Sequence, residues 1–173
     1  MADRDVLISG ICERLAAEDG PLLLLAPPAV LGALATALRE RPWLTLAVSS
    51  RPARRLRPLA TSGAALLRCA PEHLPVACGC FAAAAAVDTF TVKNGREAIR
   101  AMGRALRPSG RLVLADHISR SRTLRALTRK PWAPEDLTRM VLNAGFVDIR
   151  QSWTRPHGGA VITSGTLHCL AGL

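Results

Sequence analysis

The sequence contains 173 residues, of which 49% are hydrophobic and 21% are charged. This length suits one domain with a full core, so residues 1–173 are predicted to form a single domain, and the composition excludes wholesale disorder. The formal net charge of +10 favours an anionic partner, which could be nucleic acid, anionic lipid headgroups or an acidic protein.

Helices and strands are predicted to alternate through the first half of the chain. Residues 3–19 have the apolar spacing of an amphipathic helix, and the wholly apolar run Leu22–Leu25 is typical of a buried parallel strand. The further predicted elements of this half are a helix over residues 29–41, a strand over 43–48, a basic helix over 51–61 and a strand over 64–69.

The stretch of residues 20–38 carries no charged side chain. Its length is sufficient for a helix that crosses a bilayer. However, Pro27 and Pro28 lie in its middle, where two adjacent prolines remove two backbone donors and clash with the preceding turn. A continuous spanning helix is therefore disfavoured, and no membrane span is predicted.

The second half continues the alternation but ends with two strands. The predicted elements are a strand over residues 81–87, a helix over 93–106, a strand over 111–116, a helix over 134–143 and strands over 146–152 and 160–170. A turn at Pro108, Ser109 and Gly110 leads into the third of these elements, and Gly145 caps the last helix. Because no helix separates the final two strands, they are predicted to be antiparallel neighbours in an otherwise parallel α/β sheet.

Two segments of the second half resemble a known family. Residues 106–116 read Leu-Arg-Pro-Ser-Gly-Arg-Leu-Val-Leu-Ala-Asp, and residues 135–149 contain Asn-Ala-Gly-Phe. These segments are similar to the fifth strand with its turn, and to the last helix and sixth strand, of class I S-adenosylmethionine-dependent methyltransferases, especially small-molecule enzymes of the quinone-biosynthesis type. The resemblance implies a Rossmann-like sheet in the order 3-2-1-4-5-7-6, with strand 7 antiparallel and helices on both faces.

The resemblance also implies where S-adenosylmethionine would bind. In this family the first strand ends in an acidic residue and a glycine-rich turn, whereas this chain has Ala26, Pro27 and Pro28, with only Gly32 remaining. Serines replace the acidic residue that would hold the ribose, and Cys69-Ala70 is a poor match to the adenine contact, although residues 72–75 resemble the loop that follows. The candidate cofactor-binding residues are Ala26, Pro27, Ser49, Ser50, His73 and Leu74.

These departures predict that ordinary S-adenosylmethionine binding has been lost. The leading hypothesis is a methyltransferase-like binding, accessory or regulatory subunit that has no expected cofactor and no assigned catalytic residue. The alternative is an active S-adenosylmethionine-dependent methyltransferase that acts on a small metabolite through a diverged cofactor loop. The short segment before the first predicted strand, about 20 residues, leaves little chain to cover a substrate, which favours the leading hypothesis.

A further alternative is a metal or haem site on one loop. Cys69, His73, Cys78 and Cys80 lie close together in sequence, and thiolate with imidazole is a zinc or soft-metal ligand set. Their spacing matches no standard zinc module, and cysteine is also a common buried residue. The chain has five cysteines, an odd number, and a charged N-terminus unlike a secretory signal, so reduced thiols and a cytoplasmic location are expected.

Two residues at predicted strand ends have both a functional and a local interpretation. His117 follows the fifth strand, where open α/β folds place their chemistry, and could be a general base or a histidine held by local hydrogen bonds. Asp88 ends the fourth strand, from which methyltransferases often reach substrate, and could equally cap the following helix.

An arginine row at helical spacing, Arg96, Arg100, Arg104 and Arg107, could bind phosphate. Only 3% of the residues are aromatic, so platforms for stacking bases are scarce and sequence-specific nucleic-acid binding is not expected. The row favours a solvated basic face or a surface for an acidic protein partner. Self-association as a dimer and a small-molecule substrate complete the expected partners.

Overall fold

The computed structural model describes residues 2–41, 44–48, 64–89, 94–117, 133–155 and 158–168. Within these residues, the helices are α1 (Ala2–Ala16), α2 (Pro28–Ala37), α3 (Gly95–Ala105) and α4 (Pro134–Asn143). The strands are β1 (Leu22–Leu25), β2 (Leu44–Val48), β3 (Ala65–Arg68), β4 (Phe81–Val87), β5 (Leu106–His117), β6 (Phe146–Arg155) and β7 (Gly158–Leu167). The basic helix predicted over residues 51–61 lies outside the described residues.

The strands form one sheet in the order β3-β2-β1-β4-β5-β7-β6. Strands β1 to β5 pair in parallel, whereas β7 is antiparallel to both of its neighbours, β5 and β6. The predicted strand order and the antiparallel final strand are therefore confirmed. None of the described helices combines the length and the apolar character that crossing a bilayer requires.

Strand β4 lies at the centre of the sheet and is buried along its whole length. Ala83, Ala85 and Val87 belong to the core on the side of α1 and α2. Ala84 and Ala86 belong to the core on the side of α3 and α4. Because alternate side chains of a strand point to opposite faces, this alanine-rich strand contributes to two separate hydrophobic cores.

Helix α1 packs through one apolar stripe. Leu7, Ile11 and Leu15 recur every fourth residue and are at most 1% exposed. This stripe belongs to the core that contains Ala160 and Ile162 of β7. The amphipathic helix predicted near the N-terminus is thus confirmed, although it ends at Ala16 rather than at residue 19.

Arg41 caps helix α1 rather than the helix that precedes it in sequence. The prediction placed Arg41 in the last turn of a helix over residues 29–41, but α2 ends at Ala37. Instead, the Arg41 guanidinium donates hydrogen bonds to the carbonyl oxygens of Ala16 at 2.6 Å and Glu18 at 2.7 Å. The side chain therefore satisfies the carbonyl group of the last residue of α1, which has no partner within the helix, and a carbonyl group of the turn that follows.

Strand β5 begins earlier than predicted because the turn at Pro108 to Gly110 is part of it. Phe81 pairs with Leu106, and Ala83 pairs with Arg111, so the intervening residues of β5 bulge out of the ladder. Ser109 has a φ of 62°, which fits a tight local turn. The predicted turn is present, but the strand resumes pairing on both sides of it.

The C-terminal helix and hairpin agree with the prediction in type. Helix α4 has the predicted bounds, and Gly145 follows it with a φ of 89° and donates its amide to Leu142 O at 3.0 Å. Strand β6 extends to Arg155, which pairs with Gly158 of β7. The connection between the two strands is therefore shorter than predicted, since β6 was expected to end at residue 152 and β7 to begin at residue 160.

Glu18→Gln is expected to lower the free energy of unfolding by about 1–2 kcal/mol, because Glu18 forms a partly buried, charge-assisted hydrogen bond. Its Oε1 lies 2.7 Å from Nε of Arg111 and joins the segment after α1 to β5. Urea unfolding followed by circular dichroism measures the change. Asp19→Asn is the control, since the Asp19 side chain is fully exposed and 3.9 Å from Arg41, and no measurable change is expected. Equal effects of the two variants would contradict the prediction.

Candidate functional site

The carboxyl ends of β1 to β5 meet at one edge of the sheet because these strands are parallel. In open α/β sheets ligands bind outside this edge. The candidate residues Ala26 and Pro27 follow β1 there, and His73 and Leu74 lie in the loop that follows β3. Ser49 and Ser50 lie outside the described residues, so their predicted role as ribose contacts stays a prediction.

Only two residues, Ala26 and Pro27, connect β1 to α2. Ala26 is buried at 4% exposure, and Pro27 is the N-cap of α2 with φ −56° and ψ 146°. The Pro27 carbonyl accepts hydrogen bonds from the amides of Val30 at 3.0 Å and Leu31 at 2.9 Å. Because Pro27 and Pro28 carry no amide hydrogen, this turn offers an anionic or polar ligand two fewer donors than a glycine-rich turn would offer.

The first turn of α2 is also in contact with α1. The Arg4 guanidinium donates a hydrogen bond to the carbonyl oxygen of Ala29. The remaining glycine of this region, Gly32, is not required by packing, since a Cβ built at this position would meet no described atom within 4 Å. The conformation of this turn is thus restricted by two prolines, and its first helical residues are held by an arginine of α1, whereas no glycine is required there.

The loop after β3 is held to the start of α3. Asn94 Nδ2 donates to Glu72 Oε2 at 3.1 Å. His73 is exposed and donates its amide to Ala70 O at 2.9 Å, and Leu74 packs against the core on the side of α3 and α4. Since β2 lies between β1 and β3, two strand spacings, about 10 Å, separate this loop from the turn at Pro27.

Polar groups lie at the carboxyl ends of β4 and β5. Asp88 has a φ of 49° and donates its amide to Ala115 O at 2.9 Å. The Thr89 hydroxyl is buried and has no hydrogen-bond partner in the described part of the chain. Asp116 is 3% exposed. Asn94, rather than Asp88, occupies the N-cap position of α3, so the interpretation of Asp88 as a helix cap is wrong.

Thr89 was not predicted from the sequence, although a hydroxyl next to Asp88 at a strand end was a usable signal. His117 ends β5 and pairs with Ala160 through the backbone. The structure describes only the backbone of His117, so the role of its imidazole as a general base stays a prediction.

Solved structures named as methyltransferases match this chain over almost its whole length. An S-adenosylmethionine-dependent methyltransferase from Thermotoga maritima is 16% identical with a TM-score of 0.68, covering 95% of this chain and 90% of that one. A methyltransferase solved in complex with the Haloferax volcanii Trm112 activator is 12% identical with a TM-score of 0.73, covering 97% and 96%. The chain has the class I methyltransferase fold. No protein-family model matches the sequence, and no curated protein matches it.

The methyltransferase fold also occurs in a structure named for another reaction. The (4+2)-cyclase SpnF is 18% identical to this chain with a TM-score of 0.77, and the match covers 95% of this chain and 80% of SpnF. The family resemblance of residues 106–116 and 135–149 thus predicted the fold correctly. At these identities the likeness concerns architecture, and the chemistry of the site has to be argued from its own residues.

The cysteines and histidine of the loop after β3 do not converge as metal ligands. Across the part of the chain that the structure describes, which includes all of residues 64–89, no three His, Cys, Asp or Glu side chains form a group that could hold a metal ion. Instead, Cys69 is half-buried and Cys80 donates its thiol to Ala77 O at 3.0 Å. The metal or haem hypothesis therefore receives no support from the geometry of the loop.

The thiols are expected to differ in their rate of alkylation. Burial raises the pKa of the Cys69 thiol, and burial together with the neighbouring Glu13 charge raises the pKa of Cys12. A raised pKa leaves less thiolate at neutral pH, so both should react several-fold more slowly with iodoacetamide than exposed Cys78, and should accelerate as the pH rises. Peptide mass spectrometry after timed quenching measures the rates. Urea should abolish the difference; equal rates in native protein would contradict the prediction.

The arginine row of α3 and the start of β5 is exposed, as the sequence predicted. Arg96, Arg100, Arg104 and Arg107 all face solvent. Arg100 lies 3.8 Å from Glu97, a surface ion pair that contributes little to stability. Arg96 and Arg100 also line a small hollow beside Asn143 of α4. The row is therefore a charged surface available to an anionic partner.

Proposed function

We propose that this chain is a methyltransferase-fold protein that does not bind S-adenosylmethionine in the ordinary way and that acts as a binding, accessory or regulatory subunit. The observation that carries the proposal is the two-residue turn after β1, in which Pro27 caps α2 and Pro28 begins it. A cofactor that depends on close backbone approach and on amide donors at this turn finds neither glycine nor two of the amide hydrogens. The contact of Arg4 with Ala29 adds a side chain at the same turn.

Two structural neighbours bear on the proposal, one through its protein partner and the other through a reaction other than methyl transfer. One is a methyltransferase in a complex with an activator protein, and the other is named for a cyclase reaction. We infer that the partner of this chain is an acidic protein that contacts the exposed arginines of α3, because opposite charge steers and orients association. The alternative partner is a second copy of this chain, which would pair through an edge strand of the sheet, β3 or β6.

The test is calorimetric titration of the purified chain with S-adenosylmethionine and S-adenosylhomocysteine. We expect no heat beyond dilution at ligand concentrations up to about 1 mM, which corresponds to a binding free energy weaker than about −4 kcal/mol. A methyltransferase of the same fold that binds the cofactor is the positive control. A dissociation constant in the micromolar range would refute the proposal. The variant with Pro27→Gly and Pro28→Gly shows whether the turn alone prevents binding.

The second candidate is an active methyltransferase with a diverged cofactor loop and a small-metabolite substrate. It is favoured by the carboxyl edge of β4 and β5, where Asp88 has a positive φ and the Thr89 hydroxyl is buried without a partner among the described residues. Aspartate adopts a positive φ more readily than most residues, so it is the combination with the buried Thr89 hydroxyl that makes Asp88 a candidate. This candidate would use S-adenosylmethionine as its methyl donor.

Labelled methyl transfer to the small-molecule fraction of a cell extract tests the second candidate. Asp88→Asn should reduce transfer at least about tenfold if the carboxylate contacts substrate. Asp148→Asn is the matched control, since Asp148 also has a positive φ, 51°, but is exposed on β6. Absence of label above background in the wild-type reaction would exclude this candidate, and equal loss in both variants would exclude the role of Asp88.

A further inference from the structure

A groove with polar and apolar lining lies between α1 and strands β6 and β7, at the end of the sheet opposite β3. Its volume is about 420 Å³, within the range of small-molecule sites. Val6, Gly10 and Glu13 line it from α1, and Ser152 and Ile162 line it from β6 and β7. It lies on the face of the sheet that α1 covers, since Ile162 belongs to that core.

Gly10 sets the width of this groove. A Cβ at residue 10 would lie 2.8 Å from Cδ1 of Ile162 and 3.6 Å from Nη1 of Arg14. A side chain there would require the end of Ile162 to rotate away, α1 to move from β7, or the new group to enter the groove. The absence of a side chain therefore lets the helix approach the sheet closely while it leaves space beside Arg14.

Arg14 is held in place at the groove by two neutral acceptors. Its Nη1 donates to Gly10 O at 2.8 Å, and its Nη2 donates to Ser152 Oγ at 2.5 Å, which joins α1 to β6. These bonds use two of the five N–H donors of the guanidinium and fix its plane. The cation is thus positioned in advance, at little further cost in side-chain entropy when a ligand binds.

Arg14 differs from the other partly buried arginines of the described chain in having no carboxylate partner. Arg111 lies 2.7 Å from Glu18, and Arg41 lies 3.9 Å from Asp19. Burial lowers the pKa of the Arg14 guanidinium, and the neighbouring Glu13 charge offsets this only in part. A partly desolvated cation that is held only by neutral groups gains more from an anion than an exposed arginine does.

We propose that this groove binds a small amphipathic carboxylate, whose carboxyl group pairs with Arg14 and whose apolar part packs against Val6 and Ile162. The planar guanidinium suits a carboxylate because two N–H groups can meet two oxygens. Glu13 is the one acidic side chain that lines the groove from the described residues. It is exposed and accepts a hydrogen bond from Ser9 at 3.3 Å, so it disfavours the anion without blocking it. The proposal does not depend on S-adenosylmethionine binding or on its absence.

The test titrates the full chain with four probes and measures binding of each by the shifts of the amide signals in nitrogen-15 spectra. Hexanoate combines the carboxylate with an apolar tail, hexanol carries the tail alone, inorganic phosphate supplies an anion alone, and hexylamine reverses the charge. We expect hexanoate to shift the amides of Gly10, Ser152 and Thr154 with a dissociation constant on the order of 1 mM, and the other three probes to bind at least about fivefold more weakly. Hexanoate shifts elsewhere, or equal binding of hexanol, would overturn the proposal. Phosphate binding as tightly as hexanoate would overturn the apolar part of the site.

Arg14→Gln should weaken hexanoate binding about tenfold, whereas Arg139→Gln, which removes one exposed charge from α4, should change it less than about twofold. Equal losses in the two variants would show that hexanoate responds only to the net charge of the protein, and would overturn the proposal. Because Arg14 also joins α1 to β6, Arg14→Gln could fail to fold. Glu13→Gln then decides the question: it should strengthen hexanoate binding about twofold, and unchanged or weaker binding would overturn the proposal.

Discussion

Phe146→Ala is expected to lower the free energy of unfolding by about 3–5 kcal/mol, because it leaves a cavity in a closely packed core. Phe146 is 1% exposed and is among the largest fully buried side chains. It packs where two glycines leave room: a Cβ at Gly103 of α3 would lie 3.5 Å from its ring, and a Cβ at Gly165 of β7 would lie 3.2 Å from its Cβ. The surrounding backbone cannot move in to fill the space without disturbing both elements.

Thermal unfolding followed by circular dichroism should show a midpoint lower by about 6–20 °C for this variant. The adjacent Val147→Ala is the control, since Val147 is 38% exposed on the same strand and should cost at most about 1 kcal/mol. If the two variants unfold at similar temperatures, Phe146 does not hold β6 and β7 to α3 and α4 in the way the packing indicates.

Gly110→Ala is expected to destabilise the protein by about 2–3 kcal/mol, because a side chain there meets backbone that cannot rotate away. A Cβ at Gly110 would lie 2.8 Å from Arg107 O and 3.1 Å from Ala82 O. Both oxygens belong to the bulge that joins the start of β5 to β4. The substitution should therefore loosen the pairing of these two central strands.

Gly32→Ala is the matched control for the glycine at the bulge. Gly32 lies inside α2, where a Cβ meets no described atom within 4 Å. Alanine should stabilise the protein there by about 0.5–1 kcal/mol, since it restricts the unfolded chain and favours the helix. Chemical unfolding of both variants gives the comparison. A destabilising Gly32→Ala, or a neutral Gly110→Ala, would contradict the prediction for that glycine.

The fold was largely predictable because its signals are local and periodic. The apolar run of β1, the alanine run of β4 and the Asn-Ala-Gly-Phe segment each identify an element without knowledge of its neighbours. The strand order came from the family resemblance and is confirmed by the sheet. The errors at element ends arose where a distant segment decides the outcome, as when Arg41 caps α1 instead of extending α2.

The candidate site was less predictable because it depends on contacts across the chain. The turn at Pro27 was identified from its sequence, but the contact of Arg4 with Ala29 was not, since the two residues are 25 positions apart. The groove at Arg14 was missed for the same reason, because Arg14 and Ser152 are 138 positions apart. Sequence patterns identify which residues follow strands, whereas the docking of α1 decides what surrounds them.

The alanine run of β4 has a consequence for how the molecule tolerates change. Alanine loses no side-chain entropy on burial and keeps the helices of both layers close to the sheet. A larger side chain at Ala84 would press on α3 and α4, whereas the same change at Ala85 would press on α1 and α2. Successive positions of one strand therefore set the distance from the sheet to two different helix layers. Two neighbouring substitutions of the same kind would each increase that distance on a different face of the sheet.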